Sequence, residues 1–303
     1  MTEFIQQLFN GLSLGSIYAL IALGYTMIYG ILRFINFAHG DVFMIGAFSG
    51  YYLAILFGFS TSSTDISLLY GLAILLLSMF ICAVLGFTIE KLAYKPLRSS
   101  PKLTILITAI GVSLFLEYTG QLVFGADPKS FPTLIENKPV IQAGGAVIFS
   151  NPLVVLITAI VLMVILRLIV MKTKIGTAMR AVSFNMTAAS LMGININKII
   201  SFTFIVGSSL AAAAGILFGL NYPKIDPLIG ILYGLKAFVA AVLGGIGNIA
   251  GAALGGMIIG LVETFVSGYI SSTYRDAIAF GILIIILLFK PTGLLGKKEI
   301  EKV

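Results

Sequence analysis

Charge is scarce in this sequence. Asp, Glu, Lys and Arg make up 10% of its 303 residues, against about 25% in an ordinary soluble domain, too few to coat a water-facing globule. Cysteine occurs once, as Cys82 in an apolar run. That excludes an intrachain disulfide and a cysteine-rich metal site, and leaves the redox compartment open. His39 is the sole histidine, so H-E-x-x-H metal chemistry is excluded. No G-x-x-x-x-G-K-[ST] stretch occurs, so the chain lacks the phosphate loop with which it would itself bind and hydrolyse ATP. Gly11-Leu-Ser13-Leu-Gly15 matches the nucleophile-elbow pattern, but that turn needs a strand before it, whereas here it lies inside an apolar helix, where small residues serve close packing. No catalytic residue, metal or cofactor is expected.

Hydrophobic residues take the place of charge. They make up 59% of the chain, mean hydropathy is +1.08, and apolar segments recur between short polar breaks. Candidate spans run at roughly 10–32, 40–59, 67–90, 103–124, 152–171, 199–220, 228–246, 249–268 and 275–290, each able to cross a hydrocarbon core of about 30 Å, the last being short. The expected fold is all-α, a polytopic transmembrane bundle of about 8–9 spans forming a single domain over residues 1–303. The N-terminus has no basic leader and no A-x-A-like cleavage site, so the first helix is expected to be retained.

The net charge of +7 is gathered in loops, which points to membrane orientation rather than to nucleic acid as a partner. Lys91, Lys95, Arg98 and Lys102 form one group, Lys172, Lys174, Arg180 and Lys198 a second, and Lys290, Lys297, Lys298 and Lys302 a third. The positive-inside rule makes all three cytoplasmic. Segment 125–150 differs: Asp127, Lys129, Glu136 and Lys138 balance, while Pro128, Pro132, Pro139, Gly144 and Gly145 break regular structure. It reads as an external loop with room for a small strand or hairpin. Alternation then places the N-terminus outside and the C-terminus inside. If 32–41 lay within the membrane, the count would drop to eight and the N-terminus would move inside.

The stretch from Gly30 to Gly46 carries Arg33, Asn36, His39 and Asp41 between two apolar helices. One structure it permits is a helix break at membrane depth, tolerated only where protein or a water-filled cavity covers the freed backbone groups, and suited to a translocation pathway. In that case Asp41 would most simply pair with Arg33 or His39. The other is a short cytoplasmic turn capped by Asn36 and Asp41. Glu117, Lys236 and Glu263 also lie in apolar surroundings, where ionisable groups are functional candidates unless they pair or reach an interface. Gly247, Gly251 and Gly255 stand four apart, a spacing that lets two helix backbones pack closely. Between two basic ends, 172–198 contains a stretch from Arg180 to Gly193 able to form one short amphipathic helix with a glycine stop, on which a soluble partner could grip.

Several motifs, taken together, resemble one family. They are Gly15-Ser-Ile-Tyr-Ala-Leu-Ile-Ala-Leu-Gly-Tyr, Ile35-Asn-Phe-Ala-His-Gly-Asp, Leu191-Met-Gly-Ile-Asn, Leu235-Lys-Ala-Phe, Leu243-Gly-Gly-Ile-Gly-Asn and Pro291-Thr-Gly-Leu-Leu-Gly. In order and along essentially the whole chain, they are similar to the permease subunits of bacterial branched-chain amino-acid ABC importers, above all the smaller of that system's two permeases. The resemblance implies a type II-like importer permease in the bacterial inner membrane, among membrane lipids. It implies as partners a second homologous permease, two cytoplasmic ATPase subunits and an extracytoplasmic substrate-binding protein, with leucine, isoleucine and valine as cargo. Asn36, His39 and Asp41 become candidates for the substrate pathway. Arg180, Ala188, Ala189 and Gly193 become candidates for ATPase coupling; Ala188, Ala189 and Gly193 match the small residues of an E-A-A-x-x-x-G pattern, although Thr187 stands where the glutamate would be.

Other classes compete. A related importer for urea or short amides would share most of these motifs. An ion-coupled secondary transporter would use Asp41, Glu117 and Glu263 as proton or cation sites, and a passive channel would need no coupling.

Overall fold

The structure, a computed structural model, describes residues 2–59, 68–143 and 146–296. Lys297, Lys298, Lys302 and the glycines at 144 and 145 lie outside them. Among the described residues seven helices are long and apolar enough to cross a bilayer. These are α1 (Thr2–Leu32), α3 (Leu68–Ile89, continued by a π turn over Glu90–Tyr94), α4 (Lys102–Phe124), α5 (Ser150–Lys172), α8 (Ile196–Asn221), α10 (Ile249–Tyr269) and α11 (Arg275–Phe289), the last with the 3₁₀ turn Ser272–Tyr274 that leads into it. Two further helices, α2 (His39–Leu56) and α9 (Ile229–Gly244), are shorter or more polar. All nine fall on the segments that hydropathy picks out.

The bundle is layered around α1. In its apolar window 89% of residues are buried, against 6% in that of α11. Small residues make that burial possible. A Cβ on Gly15 would lie 2.8 Å from the Met257 Cα, and one on Gly260 would overlap the Gly15 backbone, so α1 and α10 run antiparallel in near backbone contact. Outside this core α3, α4 and α5 turn large apolar side chains outward, among them Leu72, Phe80, Leu103, Phe115 and Val164. In water such a surface would aggregate; against lipid tails it is at rest.

On the side that the charge pattern makes external, called the outer side below, the loop after α4 forms the expected hairpin, β2 (Pro139–Ala143) with β3 (Ala146–Phe149), and a two-residue strand, β1 (Lys129–Ser130), that pairs with β4 (Lys224–Ile225) after α8. Lys129 lies over the rings of Tyr51 and Tyr52, fixing the end of α2 to that loop. On the inner side Glu90 is buried and takes Arg98 as an ion pair and the Ser201 hydroxyl at 2.7 Å, which ties the first basic loop to α8. The second basic loop departs from the single helix expected of it. Asn185 interrupts it, accepting the Ala188 N–H at 2.9 Å, so α6 (Lys174–Phe184) and α7 (Met186–Leu191) are separate; a side-chain oxygen that can cap competes with helix continuation.

Candidate functional site

Six residues, 33–38, join α1 to α2. Arg33 ends α1 in the left-handed region, φ 57°, and reaches the Ser183 carbonyl of α6 at 3.5 Å. The link then turns back into the protein. Asn36 and Asp41 are 4% and 1% exposed and His39 is fully buried, so a solvated turn is excluded. Nor do Asn36 and Asp41 cap α2: its N-cap is Ala38, with no side-chain bond. The Asn36 side-chain oxygen, Oδ1, accepts instead from the Tyr94 hydroxyl at 2.6 Å. Asp41 pairs with neither Arg33 nor His39, as its sequence neighbours suggested; its carboxylate accepts from Ser113 of α4 at 2.5 Å, and the same hydroxyl lies 3.4 Å from Glu117. An α-helix points residues two apart in different directions, which sends His39 and Asp41 to different neighbours.

His39 fills the space over a glycine. A Cβ on Gly24 would overlap the imidazole, and the ring stands edge-on to Tyr25 at 4.8 Å. Gly24 is two turns from the end of α1 at Leu32, about 12 Å at 1.5 Å per residue, so α2 starts well within the length of α1 rather than at its end. The start of α9 meets it there. A Cβ on Gly40 would overlap the Gly230 carbonyl, and one on Gly234 would sit 2.8 Å from the Gly40 Cα. Gly50, ten residues or about 15 Å along α2, packs near Phe131 of the outer loop, so α9 also begins at depth, entered from the other face. Two interrupted helices thus touch first turn to first turn, and α9 is short for that reason.

The break does not cost a span. Gln7 and Asn10 of α1 line one cavity with Phe131 and Asn137 of the outer loop, which keeps the N-terminal end of α1 on the loop side while α2 still reaches that side. The link dips in and out from the inner face without consuming a crossing.

A second polar cluster lies behind that cavity. Lys236 of α9 and Glu263 of α10, 1% and 0% exposed, pair at 2.9 Å; Lys236 also meets Asp276 of α11 at 2.6 Å. Arg275 approaches Asp276 at 3.3 Å and Glu263 at 3.8 Å through Nε, and the Tyr18 hydroxyl of α1 donates to Glu263 at 2.9 Å. The sequence marks Lys236 and Glu263 but not Tyr18, Arg275 or Asp276. The last two stand at a span end, where charge is ordinary. The cavity has a volume of about 580 Å³.

The glycine spacing needs correction. Gly247 precedes α10 in a turn, with φ 93° and nothing near its missing Cβ, whereas Gly251 packs on Gly244 and Gly255 on Ala240. A four-residue period aligns residues only inside a helix, and this one starts at Ile249. On the inner face Arg180 and Ala188 are exposed, Ala189 is buried, and Gly193 ends α7 with φ 81°. Phe184, Leu191 and Met192 are exposed beside them. Among the described residues no three His, Cys, Asp or Glu side chains are grouped to hold a metal ion.

Residues 7–287 match the family described as branched-chain amino acid transport system permease component. The chain belongs to this family. The permease is 43% identical to the high-affinity branched-chain amino acid transport system permease protein BraD of Pseudomonas aeruginosa, over 99% of this chain and 98% of that one. It is 42% identical to LivH of Escherichia coli over the same shares, and 30% identical to a probable LivH of Methanocaldococcus jannaschii over 91% and 88%. The permease is a multi-pass membrane protein, with its interrupted helices inside the bundle.

Proposed function

We propose that this permease imports branched-chain amino acids as part of an ABC importer in the bacterial inner membrane, forming the translocation pathway while separate ATPase subunits supply the energy. The observation that carries this is its likeness, at 42–43% identity over 99% of the chain, to permeases named for that cargo. The absence of a phosphate loop from the sequence supports energy supplied in trans. Its partners are then a second homologous permease, two cytoplasmic ATPases and an extracytoplasmic binding protein.

Asn36, His39 and Asp41 are the pathway residues of this proposal. They surround a junction where two helix starts meet at depth, the kind of irregular backbone that membrane proteins keep where a path must open. Coupling is assigned to α6 and α7 through Arg180, Ala188, Ala189 and Gly193. The exposed Leu191 and Met192 supply the apolar contact area that a soluble partner would cover.

Purified with its second permease and ATPases in proteoliposomes, and supplied with the binding protein, the chain should accumulate leucine only when ATP is present. Leucine uptake by this chain alone on an ion gradient would overturn the assignment, and uptake of urea in place of leucine would overturn the cargo. For coupling, Leu191→Asp is a cleaner test than Gly193→Arg, because any side chain at Gly193 strains a left-handed turn. Leu191→Asp should reduce ATPase co-purification at unchanged membrane insertion; full co-purification would remove α7 from the docking surface.

A further inference from the structure

The outer cavity has a chemistry of its own. It lies between the N-terminal half of α1, the outer loop, and the outer ends of α5, α8, α10 and α11. Its volume of about 580 Å³ falls within the range of about 300–1,000 Å³ usual for small-molecule sites. Leu14, Phe131, Ile135, Phe149 and Leu220 supply apolar wall.

Polar side chains, among them Gln7, Asn10, Asn137, Asn221 and Ser267, line as much of it, and they are unevenly satisfied. Arg275 is the sole cationic residue of the lining. Both its ion pairs run through Nε, which leaves its terminal nitrogens without a hydrogen-bond acceptor among the described residues. That is the fork that takes a carboxylate in two parallel bonds. Asn151 donates through Nδ2 to the Leu220 carbonyl at 3.0 Å, yet its Oδ1 is buried and receives no donor. A buried acceptor in that state is unfavourable, and a turn of the Asn151 side chain toward the cavity that it lines would offer the oxygen to a donor there. Glu263 also borders the cavity but stays fully buried, its charge taken by Lys236.

Charge accounting narrows the occupant. Lys236 and Arg275 balance Glu263 and Asp276. Arg275 and Asp276 are partly exposed, so the site is partly solvated; even so, a lone anion or cation would unbalance this set of charges, and a zwitterion would not. We infer that the outer cavity is a binding station for a free amino acid, with its carboxylate on Arg275, its ammonium group on Asn151 Oδ1 and its aliphatic side chain against the apolar wall. This rests on the reading of the chain as an amino-acid importer's permease and adds to it a substrate contact that does not involve the binding protein.

The test is equilibrium binding of labelled leucine to the assembled permease–ATPase complex in nanodiscs, with the binding protein left out. Binding should saturate. Leucinamide, which lacks the carboxylate, and 4-methylpentanoate, which lacks the ammonium group, should each compete at least about tenfold more weakly than unlabelled leucine. Arg275→Gln should weaken binding by at least about tenfold, with Arg275→Lys recovering part of it, and Asn151→Leu should weaken it as well. If Arg275→Gln fails to assemble, the two analogues on the unaltered complex still decide. Saturable binding that leucinamide displaces as well as leucine does, or no saturable binding by a complex that imports leucine when the binding protein is restored, overturns the station and leaves the importer reading intact. Failure of import in the complete system overturns that reading instead.

Discussion

At the meeting of α2 and α9, polar side chains are held by hydroxyl groups and by packing, whereas behind the outer cavity four charges hold one another. Asn36 has Tyr94, Asp41 has Ser113, and His39 has the face of α1 opened by Gly24. Among the described residues Lys236, Glu263, Arg275 and Asp276 hold one another, with the Tyr18 hydroxyl on Glu263 and the Tyr233 ring beside Lys236. The two clusters come apart in different ways. Separating the first loses hydrogen bonds worth about 1 kcal/mol between neutral groups and about 1.5–3 kcal/mol at Asp41; separating the second breaks buried ion pairs, at about 3–5 kcal/mol for each partner left uncompensated. Helices that part during transport are better joined by the first kind of contact, and helices that stay together by the second. That assigns motion to the α2–α9 junction and a fixed frame to α9, α10 and α11 at their outer ends.

The largest expected effect breaks the frame. Glu263→Ala leaves Lys236 buried with the partly exposed Asp276 and the Tyr233 ring, and should destabilise the permease by about 3–5 kcal/mol, read as a lower unfolding temperature in detergent and a lower yield. Lys236→Met combined with Glu263→Met should recover most of that loss, since replacing a whole buried pair by apolar residues is often neutral. Failure to recover would mean that the charges do more than compensate each other.

Next comes Gly40→Val. Its side chain would meet the Gly230 carbonyl and the Gly234 backbone, which cannot swing aside as a flexible side chain can. About 1–3 kcal/mol of overpacking is expected, with uptake lost more completely than stability. Equal loss of both would make the junction a static seam.

How far the sequence discloses these two regions follows from where their residues lie. Arg33, Asn36, His39 and Asp41 are clustered within nine positions of a largely apolar stretch, so their departure from the pattern is visible, as are the nine apolar helices, though not the break between α6 and α7. Their partners are not. Tyr94, Ser113 and Gly230 arrive from other helices, and adjacency in sequence pointed Asp41 to Arg33 and His39 instead. The frame is less legible, because its five residues come from α1, α9, α10 and α11, and Tyr18 reads as one more apolar aromatic. The cavity is invisible for the same reason: it belongs to the gaps between elements, which no single helix records.

Asp41 tests the junction more gently. Asp41→Ala removes the acceptor of the Ser113 hydroxyl, but that hydroxyl still has Glu117 within 3.4 Å. The stability cost should stay near about 1–2 kcal/mol, while leucine uptake falls. Asp41→Asn keeps an acceptor oxygen and should retain more uptake than Asp41→Ala. Full uptake by both would remove Asp41 from the pathway.

The smallest change can be made identically in both regions, because each has a tyrosine hydroxyl donating to a buried side chain. Tyr18→Phe takes a donor from the Glu263 carboxylate, and Tyr94→Phe takes one from the Asn36 amide oxygen. Hydrogen bonds to charged groups are worth about 1.5–3 kcal/mol and those between neutral groups about 1, so Tyr18→Phe should lower stability more. Uptake should rank them the other way if the junction moves and the frame does not. Tyr94→Phe leaves Asn36 with an unpaired buried oxygen, and adding Asn36→Leu should return stability by removing the orphaned group. Uptake should not return with it, because the polar lining of the junction is then gone. A double variant that regains both would reduce Asn36 to a packing residue and leave His39 and Asp41 as the polar pair at the junction.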